Sequence, residues 1–497
     1  MKKKFIDVAE INRTYFPHQV EAINYGEKHS HFILGDDPGL GKTTEVIGIA
    51  MARRRLFKEK HCLVITCVNG LKYNWEAEIK ELTGEDAYML GTRKGKIKNS
   101  KEKYEDLQNL PDNYFLILNI EALRYKEGKG RGKYVLAAQI EELCKKGQIG
   151  LVIIDEIHKN KNVNAKQTRG LMKIKPKAAI AMTGTLILNK PLDAYVPLKW
   201  LGLINDNYMN FIKEYTIKGG WHDTEIIGYK NLDKLNRTIN AGMLRRRKED
   251  VLNLPEKIHN IEYVELNSAE KKFYQEILKS TIEEVKATKK KLKDAGKNTN
   301  QNTLAQWIRL RQVTGDANIL YPEFSDSSKM QRLYELVEDY TDNGHKVIVF
   351  SEWTQITSRA FEKLKEFNPL LVTGDVELEK RQQVVDKFQT SDENKVMIGT
   401  SGALGTGFTL TKADVVIFLD NPWTKATKEQ CEDRAHRIGT TNNVNIITLV
   451  CKNTIDEYIQ NLIVAKGVLS DITVDPNKEK DGVEIMMEWL VEKYKAI

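Results

Sequence analysis

Twice along the chain, short apolar runs alternate with stretches of helical character, and this alternation restricts the fold more than any other feature. The first set covers residues 32–35, 63–66, 115–119, 151–155 and 178–183; the second covers 346–350, 370–373, 395–399, 415–420 and 444–450. Each run is short and β-branched or Leu-rich, as strands buried on both faces are, and the intervals are long enough for crossover helices. The sequence therefore predicts an α/β chain with two doubly wound parallel-sheet lobes and helical insertions. Such sheets bind ligands at the carboxyl ends of their strands, so the residues that follow the runs are where chemistry is sought.

The first such place is Gly35-Asp36-Asp37-Pro38-Gly39-Leu40-Gly41-Lys42-Thr43-Thr44, after the run His31-Phe32-Ile33-Leu34 and before a helical stretch over 45–53. Gly39 and Gly41 let backbone N–H groups approach a polyphosphate, Lys42 can reach its terminal phosphates, and the Thr43 hydroxyl can hold Mg²⁺. Asp37, Leu40 and Thr44 belong to the same cradle, and the helix start adds a favourable dipole. The strict motif asks for glycine where this chain has Asp36; a Gly-rich turn beside an exposed lysine is the other reading of the stretch taken alone.

A second place is Leu151-Val152-Ile153-Ile154-Asp155-Glu156-Ile157-His158, a strand that ends in two acids. Asp155 is suited to holding Mg²⁺ through water, and Glu156 to orienting or deprotonating the attacking water. The alternative, acids that merely cap a strand, loses weight once a phosphate turn lies upstream. In the second set, Gln430-Cys431-Glu432-Asp433-Arg434-Ala435-His436-Arg437-Ile438-Gly439 puts Arg434 and Arg437 three residues apart, on one face if the segment is helical. Rigid guanidinium forks suit the charge that develops on a transferring γ-phosphoryl group; for the pair alone, surface ion pairing is the alternative.

With 497 residues, 41% hydrophobic and 29% charged, the chain has the balance of a water-soluble globular protein of two or three domains. The net charge of +8 is compatible with a polyanionic partner without requiring one. Cys62, Cys67, Cys144, Cys431 and Cys451 are scattered, without a CxxC pair or His at ligand spacing, so they read as reduced structural thiols and no zinc is expected. No apolar signal core follows the basic start, and no run of about eighteen apolar residues occurs, so no membrane partner is expected and the place of work is the cell interior.

The expected divisions are an N-terminal lobe over 1–198, a helical insertion and linker completing it over 199–262, a helical insertion over 263–325, a C-terminal lobe over 326–470, and a tail over 471–497. The 199–262 stretch carries Trp200, Tyr208, Phe211, Tyr215 and Trp221, then the basic run Arg245-Arg246-Arg247-Lys248. Residues 296–300 read as a mobile loop, and 482–497 as an amphipathic packing helix with Ile485, Met486, Trp489, Leu490 and Tyr494 on its apolar side.

Taken together, these motifs resemble those of superfamily 2 helicase-type motors, and among them the Snf2 family of double-stranded-DNA translocases. The resemblance runs in order through Pro17-His18-Gln19, the phosphate turn, residues 71–75, Asp155-Glu156-Ile157-His158, Met182-Thr183-Gly184-Thr185, residues 347–353 and 400–410, and the arginine segment. Asp433-Arg434-Ala435-His436-Arg437-Ile438-Gly439 is highly specific to that family. The Met243-Leu244-Arg245-Arg246 segment and residues 228–235 point to its annealing-helicase branch.

The resemblance implies two RecA-like lobes that bind Mg·ATP between them and double-stranded or forked DNA across them. It implies that Gln19 reads the adenine edge beside Tyr15 or Phe16, that Gly405 and Gly407 line the nucleotide cleft, and that Thr400 and Ser401 bind backbone phosphate. Trp423 occupies the position of a groove-contacting tryptophan, with core packing as the even alternative, and the basic run Arg245-Arg246-Arg247-Lys248, Arg245 first among them, either contacts DNA or braces the lobes. Leu186 and Leu188 stand where the family has Pro and Gln, which puts the coupling of hydrolysis to movement in question, and Thr440 replaces a usual Gln. The expected protein is a monomeric DNA-dependent ATPase that moves on duplex DNA, with target choice left to a partner protein or to DNA structure. Its rivals are a strand-separating helicase and a non-catalytic DNA-binding assembly protein.

Overall fold

The computed structural model describes residues 11–67, 71–94, 96–97, 99–127, 133–184, 186, 190–219, 225–252, 254–295, 300–322, 327–405, 407–461 and 463. The N-terminal basic stretch, Thr185, Leu188, Trp221, residues 296–299 of the loop expected at 296–300, Thr406 and the helix expected over 482–497 lie outside the described residues; Asn300 opens a helix. The chain divides into two compact units, Met1–Asn253 and Leu254–Ile497.

In the first unit, β1 (His31–Leu34), β2 (His61–Thr66), β3 (Tyr88–Met89), β4 (Phe115–Asn119), β5 (Ile149–Asp155) and β6 (Ala178–Met182) run parallel. A two-stranded ribbon, β7 (Thr216–Gly219) and β8 (Glu225–Tyr229), stands outside the sheet, and β9 (Met243–Leu244) returns to it beside β1. The resulting seven-stranded order is β9-β1-β6-β5-β2-β4-β3. Why the strands read as unbroken apolar runs follows from strand geometry, since alternate side chains point to opposite faces. Ile33, Leu63, Val152 and Ala179 enter one cluster, while Phe32, Val64, Ile153 and Ile180 enter the cluster on the other face. Both faces are therefore covered, and each fully buried aliphatic side chain contributes about 1.5–3 kcal/mol.

The second unit repeats the plan with β10 (Lys257–Val264), β11 (Val347–Ser351), β12 (Leu370–Val372), β13 (Val396–Thr400), β14 (Val415–Phe418) and β15 (Val444–Cys451). These form a six-stranded parallel sheet in the order β10-β15-β14-β11-β13-β12. Val347, Val349, Ile398 and Ile417 face one cluster; Ile348, Phe350, Met397 and Phe418 face the other. Helices Ser268–Ala295 and Asn300–Asp316 lie between β10 and β11 in the chain. Among the described residues no helix is long and apolar enough to cross a membrane.

The stretch over 199–262 is not the helical insertion and linker that its mixed composition suggests. Helices Tyr208–Tyr215 and Leu232–Ala241 are present, and Trp200, Phe211 and Tyr215 are buried against the first core. Yet β9 is the edge strand of the first sheet and β10 the edge strand of the second, so the division between units falls at 253/254 rather than at 262/263. Both strands escape pattern reading for a physical reason. β9 is two residues long, and β10 leaves Ile258, Ile261 and Tyr263 exposed at the sheet edge, so its sequence lacks the continuous apolar run of a central strand.

Candidate nucleotide site and arginine turn

The expected phosphate turn sits at the carboxyl end of β1, where the chain leaves the sheet and enters the helix Lys42–Phe57. Gly39 and Gly41 both have positive φ, 88° and 86°, a region that L side chains rarely adopt. A Cβ on Gly41 would in addition lie 2.5 Å from the Gln19 side-chain nitrogen. The Lys42 ammonium folds over the turn and donates to the carbonyls of Asp36 at 2.6 Å and Asp37 at 3.3 Å. No side chain caps the helix start at Gly41, so the first-turn N–H groups of Lys42, half-buried Thr43 and buried Thr44 are presented as an anion-binding terminus.

Gln19 and His18, in the first turn of the helix Pro17–Lys28, close the other side of the turn. His18 Nε2 lies 3.0 Å and Gln19 Nε2 3.3 Å from the carbonyl oxygen of Leu40, whose side chain is buried. Gln19 Oε1 accepts from the Phe16 N–H at 3.0 Å, and the Phe16 ring, 37% exposed, stacks on His18. Gln19 is thus held by the loop that Gly39, Leu40 and Gly41 shape.

Asp155 and Glu156 follow β5. Trp75 Nε1 donates to Asp155 Oδ2 at 2.9 Å. Burial, reinforced by the charge of Glu156, pushes the Asp155 carboxyl up to about 7. Glu156 turns the backbone into the left-handed region at φ 53°, and its Oε2 lies 3.1 Å from His158 Nδ1. Burial opposes its ionisation, but His158, Lys42 and Lys159 bring its carboxyl below the ordinary range. His158 Nδ1 is also 2.9 Å from Thr183 Oγ1, at the end of β6. Gly184 packs on the phosphate turn, since a Cβ there would lie 2.9 Å from Pro38. Leu186 is buried in the first core.

Among the described residues no group of three or more His, Cys, Asp or Glu side chains is arranged to hold a metal ion. A hydroxyl at Thr43 and a carboxylate at Asp155 are hard oxygen donors, and they fit Mg²⁺, which keeps waters and phosphate oxygens as its remaining ligands.

Two features here were missed in the sequence. Trp75, inside a motif but without an assigned role, orients Asp155. Arg246 is the second: the basic run is expected to contact DNA or to brace the lobes, and Arg245 and Arg247 are exposed as that requires, but Arg246 is not. Arg246 is buried and directed at the phosphate turn, where its main-chain N–H donates to Asp36 Oδ1 at 2.9 Å and its guanidinium reaches the same carboxylate. An unusual Asp at position 36 was the one available signal, because a buried carboxylate needs a partner.

In the second unit the helix Lys425–Glu432 stops before the arginines, so Arg434 and Arg437 stand on the turns that follow it and do not share a helical face. They meet differently. Arg434 Nη1 donates to the Phe408 carbonyl at 3.1 Å and Arg437 Nη1 to Thr409 Oγ1 at 2.8 Å, which joins both to the loop after Gly405 and Gly407. Gly407 has φ 83°, and a Cβ on Gly405 would lie 2.6 Å from Cys431 Sγ. Thr440 accepts from the Arg437 N–H at 3.1 Å and donates to the Ala435 carbonyl at 2.6 Å, so this departure from the family pattern staples the turn. Glu432 and Asp433 are buried and held by Lys257, at 3.2 and 2.8 Å, and Glu432 also by His259 at 3.1 Å, both from β10.

At the carboxyl edge of the second sheet, Thr400 and Ser401 are buried at the end of β13. Trp423 is 39% exposed and is not a core residue; the buried Arg311 guanidinium lies 4.0 Å from its ring centre and donates to the Asn421 carbonyl. All five cysteines are buried free thiols.

A phosphate turn, an acid pair two strands away on a doubly covered parallel sheet, and a second such sheet carrying an arginine turn define a helicase-type nucleotide-binding core with two RecA-like lobes. A family model described as SNF2-related domain matches residues 18–319, more than half of the chain, and one described as helicase conserved C-terminal domain matches residues 328–439. The chain belongs to the SNF2-related family. It is 28% identical over 454 residues to an uncharacterized ATP-dependent helicase of Mycoplasma genitalium, covering 88% of this chain and 40% of that protein. It is 27% identical to the DNA annealing helicase and endonuclease ZRANB3 of Bos taurus, covering 93% of this chain and 41% of the relative. The chain therefore spans about two fifths of the length of these curated relatives. A solved SWI2/SNF2 ATPase core of Sulfolobus solfataricus in complex with dsDNA aligns over 99% of this chain and 98% of its own, at 22% identity and a TM-score of 0.43.

Proposed function

We propose that this chain is a DNA-dependent ATPase that moves on double-stranded DNA and remodels protein–DNA complexes or branched DNA. The observation that carries the reading is the phosphate turn with Lys42 folded over it, together with an acid pair whose members are held in different states. Lys42 leaves the Asp36 and Asp37 carbonyls for the terminal phosphates of ATP, while the first-turn N–H groups bind the phosphates nearer the sugar. Gln19 selects the adenine edge. Glu156, kept ionised, accepts a hydrogen bond from the attacking water and takes its proton. Thr43 and Asp155 would hold Mg²⁺, which would supply neutralising charge to the phosphates. Arg434 and Arg437 of the second unit, with Gly405 and Gly407 shaping their loop, supply positive charge to the transferring group.

For DNA, exposed Trp423 and Arg245 offer an aromatic edge and a cation, with the Thr400-Ser401 strand end contributing phosphate contacts. Binding of this kind follows the backbone and weakens steeply with salt. Target choice rests with a partner protein or DNA structure, and the place of action is the nucleoid or nucleus.

The test is ATP hydrolysis by the full chain without nucleic acid, with duplex or forked DNA, with single-stranded DNA and with RNA. Stimulation greatest with duplex or forked DNA, followed by displacement of a third strand from triplex DNA, supports the reading. Equal stimulation by single strands or RNA replaces it with strand separation, and no hydrolysis under any condition replaces it with a binding role.

The acid pair adds a pH dependence. A carboxyl raised to about 7 gains its proton as pH falls through neutrality, and only the ionised form binds metal. Between pH 8 and pH 6 the ionised fraction of Asp155 falls roughly tenfold, so the Mg²⁺ concentration for half-maximal hydrolysis should rise by about that factor. Magnesium titrations at the two pH values check it; an unchanged requirement removes Asp155 from the metal site.

A further inference from the structure

Arg246 is 210 residues from Asp36 in sequence, yet its guanidinium joins Asp36, Glu45 and His18 beside the phosphate turn. Its Nη2 donates to Asp36 Oδ2 and, at 2.9 Å, to Glu45 Oε1; its Nε donates to Asp36 Oδ1 at 3.3 Å; its Nη1 donates to the main-chain carbonyl of His18. Asp36 and Glu45 are fully buried. The neighbouring main chain repeats the attachment, with the Asp37 N–H donating to the Arg246 carbonyl and the Lys248 N–H to Asp37 Oδ2, both at 3.1 Å.

The two ends of this network lead to different parts of a nucleotide. His18 precedes Gln19 and anchors the start of the helix that carries it; Asp36 supplies the carbonyl on which Lys42 rests. A planar fork with five donors serves all four acceptor atoms in this arrangement, which a lysine ammonium with three donors cannot match. We infer that Arg246 is a positioning residue of the nucleotide site, fixing the base-reading helix against the phosphate turn so that recognition of adenine and grip on the phosphates act together. The inference rests on the reading of this site as an ATP site. The Arg246 side chain contacts Asp36, Glu45 and the His18 carbonyl, so it acts by placing Gln19 relative to the phosphate turn and not by contact with the nucleotide.

The test compares Mg·ATP with Mg·tripolyphosphate, a probe with phosphates and no base, for binding to the full chain. Arg246→Lys keeps a cation beside Asp36 and loses the fork. ATP affinity should then fall about tenfold, as expected for loss of a charge-assisted hydrogen bond, with tripolyphosphate affinity within twofold of wild type. Paired removal of both charges in Arg246→Gln with Asp36→Asn leaves no unpaired ion of that couple and should show the same collapse of the ATP preference. Weakening of both probes in parallel, or an unchanged ATP preference in both variants, overturns the inference while the ATP reading stands. Failure of the wild type to bind ATP overturns the reading of the site and the inference with it.

Discussion

Replacing Glu156 by Gln should lower ATP turnover by about two to four orders of magnitude, the range for removing a positioned general base. Gln preserves the shape and the contact with His158 but cannot take a proton. The backbone at Glu156 is left-handed, a conformation that costs about 1–3 kcal/mol and persists where surrounding contacts impose it. Those contacts include the β5 pairing that ends at Asp155 and the His158–Thr183 hydrogen bond. Because Gln satisfies the same geometry, ATP affinity should remain within a few-fold of wild type. Single-turnover hydrolysis measured beside equilibrium ATP binding separates the two. A turnover within tenfold of wild type would assign water activation to another group.

The largest effect on stability is expected at Asp456. Its Oδ2 receives the Lys329 ammonium and, at 3.2 Å, the Cys451 N–H, while Oδ1 accepts from Thr314 at 2.7 Å. Lys329 is 1% exposed and donates also to the Leu419 carbonyl at 2.7 Å, at the strand end that leads to Asp420 and Trp423. Burial disfavours its charge, yet Asp456 holds the ammonium above its ordinary pKa. Asp456→Ala leaves that cation buried without its counter-ion, which should cost the second unit about 3–5 kcal/mol. Urea unfolding of the full chain, followed by a probe in the second unit, reads the loss. Replacing both partners with apolar residues, Lys329→Met with Asp456→Leu, should recover much of it, since no uncompensated charge remains. A loss as large in the double variant as in the single would place the cost in lost hydrogen bonds rather than in charge.

The two lobes were legible because a sheet covered on both faces forces apolar residues onto both sides of every interior strand. All ten runs named from the sequence are strands of the two sheets, nine of them interior and one, β12, at an edge. The other three edge strands were not legible: β3 and β9 are too short and β10 too exposed to leave a pattern. The phosphate turn and the acid pair were legible because glycines with positive φ, a lysine and strand-end carboxylates are constraints that local geometry sets. The arginine turn was found by residue type, but its shape was not, since the helix stops at Glu432 and the arginines converge on Phe408 and Thr409 instead of on a common helical face.

Chemistry that depends on neighbours in sequence could thus be read from the chain itself: the phosphate cradle spans ten residues, and each buried strand carries its own pattern. Which side chains hold that chemistry in place was decided by tertiary structure alone. Trp75 reaches Asp155 across 80 residues, and Arg246 reaches Asp36 across 210. A buried carboxylate needs a partner, but nothing in its local sequence specifies which distant cation or N–H the folded sheet will bring to it.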